Sequence, residues 1–292
     1  MRLGGFPQGN ARAPRSRSRG SHAPHAAAPQ PPFGKLLLSL GDFPQGNARA
    51  PRSRSRSSHA PHSAALQAPF GFVLAWAVIL FTIAAAVCGI AGNGGMMASE
   101  MMKHAPPETT GLPEKEYAAV GQMTADYLAG RTAVFQHTFS DETGTVYQCF
   151  QPHEAAHMAD CRKLIRLAEI LRLGFGLAGA AIVTAGILMP KQRKGIARGV
   201  IIGLRSAGVI GAVLLIWGVI DFDGLFTAFH RIAFTNDGWL LDPRTDLLIR
   251  LMPTELFVTL AVRILMWTIA AAAGADIAAR CVMREKERIR VD

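Results

Sequence analysis

The chain is short of charge. Asp, Glu, Lys and Arg make up only 18% of its 292 residues, where a soluble domain carries about a quarter. Half of the residues are hydrophobic, and the mean hydropathy is +0.21. This balance argues against an ordinary soluble domain and for an integral membrane protein. Acid is nearly missing from residues 1–69, which hold ten Lys/Arg and one acid, Asp42. Most of the net charge of +10 therefore sits in that arm, and the rest of the chain is almost neutral. No nucleic-acid partner is expected from so local a charge. There is no C-x-x-C among the four cysteines, Cys88, Cys149, Cys161 and Cys281, so no thiolate zinc site or redox pair is indicated. Cys149 and Cys161 remain a conceivable bridge, against which stand the narrow geometry of a disulfide and the helical setting of Cys161. No cleavable signal sequence is expected, because the first apolar run is too long for one and follows 69 residues. Ala-Ala-Val before Cys88 is a poor lipobox.

What the arm does have is a repeat. FPQGNARAPRSRSR occurs at 6–19 and again at 43–56, and the match extends to 34 and 71 with 25 of 29 positions identical. Rich in Pro, Arg, Ser and His, it cannot bury a core, so residues 1–69 read as a disordered, basic, duplicated segment. By charge alone it could meet anionic headgroups or nucleic acid; a solvated tail, or a start site set too far upstream, is the favoured reading. Residues 70–292 read as the transmembrane domain.

Four apolar runs follow, at about 70–92, 173–189, 199–220 and 256–279, each near the twenty residues that cross about 30 Å of hydrocarbon. Gly and Ala are frequent in the last three, as close helix contact requires. The 190–198 loop has four basic residues and no acid, and five more basic residues lie from position 280 onward. The positive-inside tendency assigns these, and the arm, to the cytoplasm. Both termini are then cytoplasmic. The segments 93–166, with nine acids against six bases, and 221–255, with six against three, face outward. The expected fold is all-α: a polytopic membrane protein with four transmembrane helices and two extracytoplasmic segments that contain helices.

The outer segments carry the unusual residues. In 113–130 the apolar positions Tyr117, Val120, Met123 and Tyr127 mark one helical stripe, suited to a leaflet surface or to ordinary packing. A second helix is predicted from Pro152 into span two. Phe226, His230 and Phe234 share a helical face, and Trp239 follows. Asp242 reads as an N-cap with Pro243 at the first helical position.

Residues 153–157, HEAAH, fit H-E-x-x-H, in which two imidazoles a turn apart hold zinc beside a glutamate base. His153 and His157 would be the ligands and Glu154 the base of a membrane metalloprotease. The extended pattern fails, since position 160 is Asp and position 163 is Lys; Glu169, His230 or Asp242 would have to supply the third ligand. A different constellation pairs His157 with Asp160, three residues on and on the same helical face, where a carboxylate can orient an imidazole. A surface capping pair fits that spacing too. Arg205, Arg263 and Asp276 lie within spans, where charges are often functional. They would serve a non-enzymatic binding or transport protein, although snorkelling and helix pairing explain them as well.

Three motifs together resemble a known family. Glu154 to Asp160 reads E-x-x-H-M-x-D, Phe229 to Phe234 reads F-H-x-x-x-F, and Trp239 to Pro253 reads W-x-L-D-P-x-T-D-x-L-I-x-x-x-P. Over about 70–280 the chain resembles the bacterial lipoprotein intramolecular transacylases, the Lit family. The resemblance implies a cofactor-independent acyltransferase of the bacterial cell membrane. It would act on diacylated lipoproteins within membrane lipid, moving the sn-2 acyl chain of the diacylglyceryl-cysteine to its α-amine and leaving a lyso-form lipoprotein. It also implies catalytic roles for His157 and His230, and makes His153, outside the family pattern, incidental. Asp160, Glu154, Trp239, Asp242 and Asp246 are the expected supporting residues, with Asp160 holding His157. Which histidine is base and which is acid is left open by the sequence, as is the oligomeric state.

Overall fold

The computed structural model describes residues 67–288. The disorder expected of the arm concerns residues that lie, up to position 66, outside the described ones. Helix α1 spans Ala68–Ala91. The first outer segment then folds as α2 (Gly94–His104), α3 (Pro107–Thr110), a 3-10 turn and α4 (Tyr117–Leu128). An antiparallel hairpin follows, β1 (Thr138–Ser140) and β2 (Val146–Gln148), with Phe139 opposite Tyr147. Helix α5 runs over Pro152–Leu188, and a 3-10 turn leads to α6 (Arg193–Ile220). The second outer segment holds α7 (Phe222–Ala233) and α8 (Leu247–Leu251), and α9 covers Thr254–Arg288.

Helices α1, α5, α6 and α9 are each long and apolar enough to cross a membrane, which bears out the four-span, multi-pass reading. Their outer faces expose large apolar side chains such as Leu177, Val219 and Ile220, the surface that lipid rather than water would cover. Helix α1 packs against the other three. Its contact with α6 is close because glycine stands on both sides: a Cβ at Gly71 would overlap the Ile196 carbonyl, and one at Gly199 would overlap the Ala68 carbonyl. Backbones approach in this way where side chains are smallest.

At 37 residues, α5 is about 55 Å long, well beyond the 30 Å of a hydrocarbon core. Its charges explain the excess. Glu154, Asp160, Arg162, Lys163 and Arg166 fall in the first four turns, so that part stands outside the apolar slab. It enters the core of the outer layer through Met158, which belongs to one buried cluster with Met101 of α2, Tyr117 and Val120 of α4, and Leu248 and Leu251 of α8. The stripe on α4 is therefore a packing face. Two outer segments separated by two spans share one core, and that is what brings their polar residues together.

One local expectation is corrected, and one element is added. The helix predicted with Asp242 as its cap begins four residues later, at Leu247 behind Asp246. The Asp242 carboxylate accepts the Arg244 backbone N–H (2.9 Å), and its own N–H donates to Asp246 (2.9 Å), so an Asx-type turn displaces the cap, and Pro253 then separates α8 from α9. The hairpin also adds a strand pair to an otherwise helical fold. Asp141 holds its turn by accepting the N–H groups of Thr143 (2.8 Å) and Thr145 (3.0 Å), with Gly144 at φ +83°.

Candidate active site

Pro152 opens α5 at the first helical position, where its missing N–H costs nothing. Glu154 is fully buried. One carboxylate oxygen accepts the Gln151 N–H (2.6 Å) and the other accepts the Leu248 N–H (2.6 Å), 94 residues away. This side chain therefore ties the start of α5 to α8 instead of facing a reaction centre. One turn on, the half-buried His157 projects toward α7.

Helix α7 is N-capped by Asp221, which accepts the Gly224 N–H (2.8 Å). It presents His230 into an aromatic box. Phe226 lies 4.3 Å from the imidazole, Trp239 5.0 Å, and Phe229 and Phe234 5.4 Å each, centroid to centroid. His230 is only 8% exposed. Its Nδ1 lies 2.8 Å from the Phe226 carbonyl. A carbonyl only accepts, so Nδ1 carries the hydrogen and Nε2 is left with the lone pair. The two imidazoles face each other at 6.2 Å, tilted by 31°, and Phe234 packs edge-on against His157 at 5.1 Å. The spacing of Phe226, His230 and Phe234 thus yields the face that the sequence predicts, with Trp239 closing it.

Burial pushes the His157 imidazole down to about 4, and the neighbouring His230 adds to the effect, against a smaller opposing pull from Asp160. His157 is therefore neutral through the physiological range. The expectation that Asp160 holds it is corrected: the Asp160 carboxylate accepts from Lys163 (2.7 Å) and from Asn236 (2.9 Å). Asn236 lies in the other outer segment, beyond the reach of any local spacing rule. What touches His157 instead is Cys161, with Sγ 3.5 Å from Nε2, a contact available to the i,i+4 rule but not anticipated from the sequence.

Burial drives the Cys161 thiol up to about 12 and the Cys149 thiol up to about 11, and neither is in a disulfide, so the conceivable bridge between them is not formed. A neutral thiol is a poor acyl acceptor. Cys161→Ala removes a contact that orients His157 but no acyl acceptor, so it is expected to lower turnover only severalfold, read by lipopeptide mass spectrometry. Turnover as low as that of a histidine variant would instead indicate a thioester on Cys161.

The zinc reading finds no support in the geometry. His153 turns to the other segment, with Nε2 2.9 Å from Asp246, and among the described residues no group of three His, Cys, Asp or Glu is disposed to hold a metal. Asp246, 2% exposed, also accepts from the Asp242 N–H and the Thr245 hydroxyl. Asp242 is occupied by Arg244 (2.6 Å). Both stand as loop scaffold. Of the span charges, Arg263 pairs with Glu100 of α2 and Asp276 with Arg280 one turn on, which is helix pairing and local pairing.

Three structures resemble this architecture, all of the membrane integral lipoprotein intramolecular transacylase Lit from Bacillus cereus. The first matches with a TM-score of 0.63 at 15% identity, covering 76% of this chain and 98% of that one. Two variants, with one histidine replaced by arginine and by alanine respectively, match with TM-scores of 0.58 at 16% identity. They cover 94% and 96% of those chains and 76% of this one. At such identity the likeness is one of fold. A comparison with curated protein sequences gave no match. The family model for the lipoprotein intramolecular transacylase Lit matches residues 72–257, which contain both outer segments and both histidines. The chain belongs to the Lit family of lipoprotein intramolecular transacylases and is a multi-pass membrane acyltransferase.

Proposed function

We propose that this chain moves the sn-2 acyl group of a diacylglyceryl-cysteine to the α-amine of the same cysteine, at a site between its two outer segments. The observation that carries the reading is the meeting of His157 and His230, from separate segments, across 6.2 Å in an apolar, aromatic setting. Amine and ester sit on one molecule, so a site that holds them together supplies much of the rate. The ester becomes an amide. The amine nitrogen attacks the carbonyl carbon, the tetrahedral adduct expels the glycerol oxygen, and the proton lost by nitrogen ends on that oxygen. No external donor is consumed.

Of the two role assignments that the sequence leaves open, the contacts support His230 as the proton carrier. Its Nδ1–H is committed to the Phe226 carbonyl, so Nε2 is the atom that takes the proton from nitrogen and returns it to the leaving oxygen. His157 then stabilises the oxyanion. A neutral Cys161 thiol donating to His157 Nε2 leaves the hydrogen on Nδ1, free to donate to the developing negative charge. The basic 190–198 loop lies at the opposite end of α5 from His157, which supports cytoplasmic termini and an outward site.

The test is to express the chain in a bacterium that makes diacylated lipoproteins and to sequence one lipopeptide by mass spectrometry. The expected product carries one acyl chain on nitrogen and one on glycerol. Unchanged diacyl lipopeptide, despite membrane expression, counts against the proposal.

A pH dependence follows. His157 is uncharged down to about pH 4, so the acid limb of activity belongs to the substrate amine, which titrates near 8. Turnover is expected to rise between about pH 6 and 8; a flat profile over that range contradicts deprotonation of the amine. Stability has its own sign. Between about 4 and the unfolded value near 6.5, the unfolded chain binds a proton at His157 that the folded chain refuses. Acidification through that window therefore destabilises the fold, and the penalty is absent above it.

A further inference from the structure

We infer that the end of the bundle farthest from His157 holds a binding site for one anionic phospholipid, with an acyl chain in a cleft between α1, α5, α6 and α9 and its phosphate at Arg193. The cleft has a volume of about 480 Å³ and is lined by apolar side chains that include Leu74, Val78, Ile187 and Val282, with Arg193 the single charged residue among them. Such a volume falls within the roughly 300–1,000 Å³ typical of small-molecule sites. Ile187 is thirty residues along α5 from His157, about 45 Å away, so the cleft is separate from the candidate active site. This inference does not depend on the transacylase reading.

Charge identifies the occupant. Arg193 is fixed in place: Nε donates to the Gly186 carbonyl (3.0 Å) and Nη2 to the Ile187 carbonyl (3.2 Å). Those contacts satisfy hydrogen bonds without neutralising the guanidinium. Lys191, Lys194 and Arg198 stand within five residues of it, and no acid occurs between Glu169 and Asp221. Among the described residues none of the four bases forms an ion pair, while Asp276 on the adjoining helix is taken by Arg280 at 2.5 Å. An apolar cleft beside a basic cluster that forms no ion pair among the described residues complements a ligand with a hydrocarbon chain at one end and a phosphate at the other. Basic pockets between transmembrane helices recognise anionic headgroups in this way.

The experiment is native mass spectrometry of the full chain in detergent, titrated with phosphatidylglycerol and with phosphatidylcholine of matched acyl chains. Phosphatidylglycerol is expected to be retained about fivefold better. Arg193→Gln should bring that preference close to unity, and Ala278→Phe, which fills the cleft from an exposed wall, should weaken both lipids. Because Arg193 also caps α5, the double variant Lys191→Gln with Lys194→Gln provides an independent reading and should reduce the preference with the helical content intact. Equal retention of the two lipids by the wild type overturns the inference. So does a preference unchanged in both charge variants, or unchanged binding after Ala278→Phe. Glycerol phosphate binding as well as the intact lipid overturns it too, since the cleft would then contribute nothing.

Discussion

Alanine in place of His230 is expected to lower conversion of diacyl to lyso-form lipopeptide below about one-hundredth of the wild-type rate, the scale on which a positioned acid–base group contributes. The protein should remain in the membrane, with its thermal midpoint lowered by the cavity left where a buried imidazole stood. His230 sits in an aromatic box, and its removal leaves the Phe226 carbonyl with the backbone partner that the helix already provides. His157→Ala should fall by a similar factor. The double variant should be little slower than either single one, because two groups that act on one transition state do not contribute independently. Lipopeptide mass spectrometry reads all three, with membrane content matched by immunoblot. Near wild-type turnover in either single variant removes that histidine from the chemistry. Losses that multiply in the double variant would show that the two imidazoles act on separate steps.

The contrast between HEAAH and the observed site shows what the sequence holds and what it does not. Four spans are legible because apolar runs of about twenty residues leave no alternative in a chain with so little charge. The faces of α5 and α7 are legible because helical spacing survives folding, and that spacing together with the family resemblance marks His157 and His230. Partners are another matter. Local spacing puts His157 beside both His153 and Asp160, yet His153 bonds to Asp246 and Asp160 to Asn236. Asp246 and Asn236 both lie on the second outer segment, and a long-range hydrogen bond of good geometry competes with an i,i+3 or i,i+4 tendency worth a few tenths of a kcal/mol, which Asp160 still realises with Lys163. Cys161 satisfies the spacing, but its only cue in the sequence is proximity to His157. The hairpin is not legible because its strands are three residues each, too short for alternation to stand out.

Glu154 is where the second large effect is expected, and it is one of position rather than proton transfer. Its two oxygens each accept a backbone N–H at 2.6 Å, and the Leu248 donor is buried. Glutamine offers one oxygen and one N–H₂ group, so one of these donors must face another donor. A buried donor left in that state costs about 1–3 kcal/mol, and a domain of this size loses about 2–4 °C of midpoint per kcal/mol. Glu154→Gln is therefore expected to lower the midpoint by about 5 °C, and Glu154→Ala, which strands both donors, by about 10 °C. Activity should fall further than stability explains. The Leu248 tie fixes α8, and through the adjoining loop it fixes Asp246 and the Trp239 wall of the His230 box. Turnover measured well below both midpoints should drop by about tenfold or more, since a displacement near 1 Å in a reacting pair costs up to about a hundredfold. Amide exchange at Leu248 should accelerate in both variants. Wild-type turnover in Glu154→Gln together with faster exchange at Leu248 would mean that the tie supports the fold alone. Lost turnover with Leu248 still protected would give Glu154 a direct part in the reaction, which its burial against two backbone donors argues against.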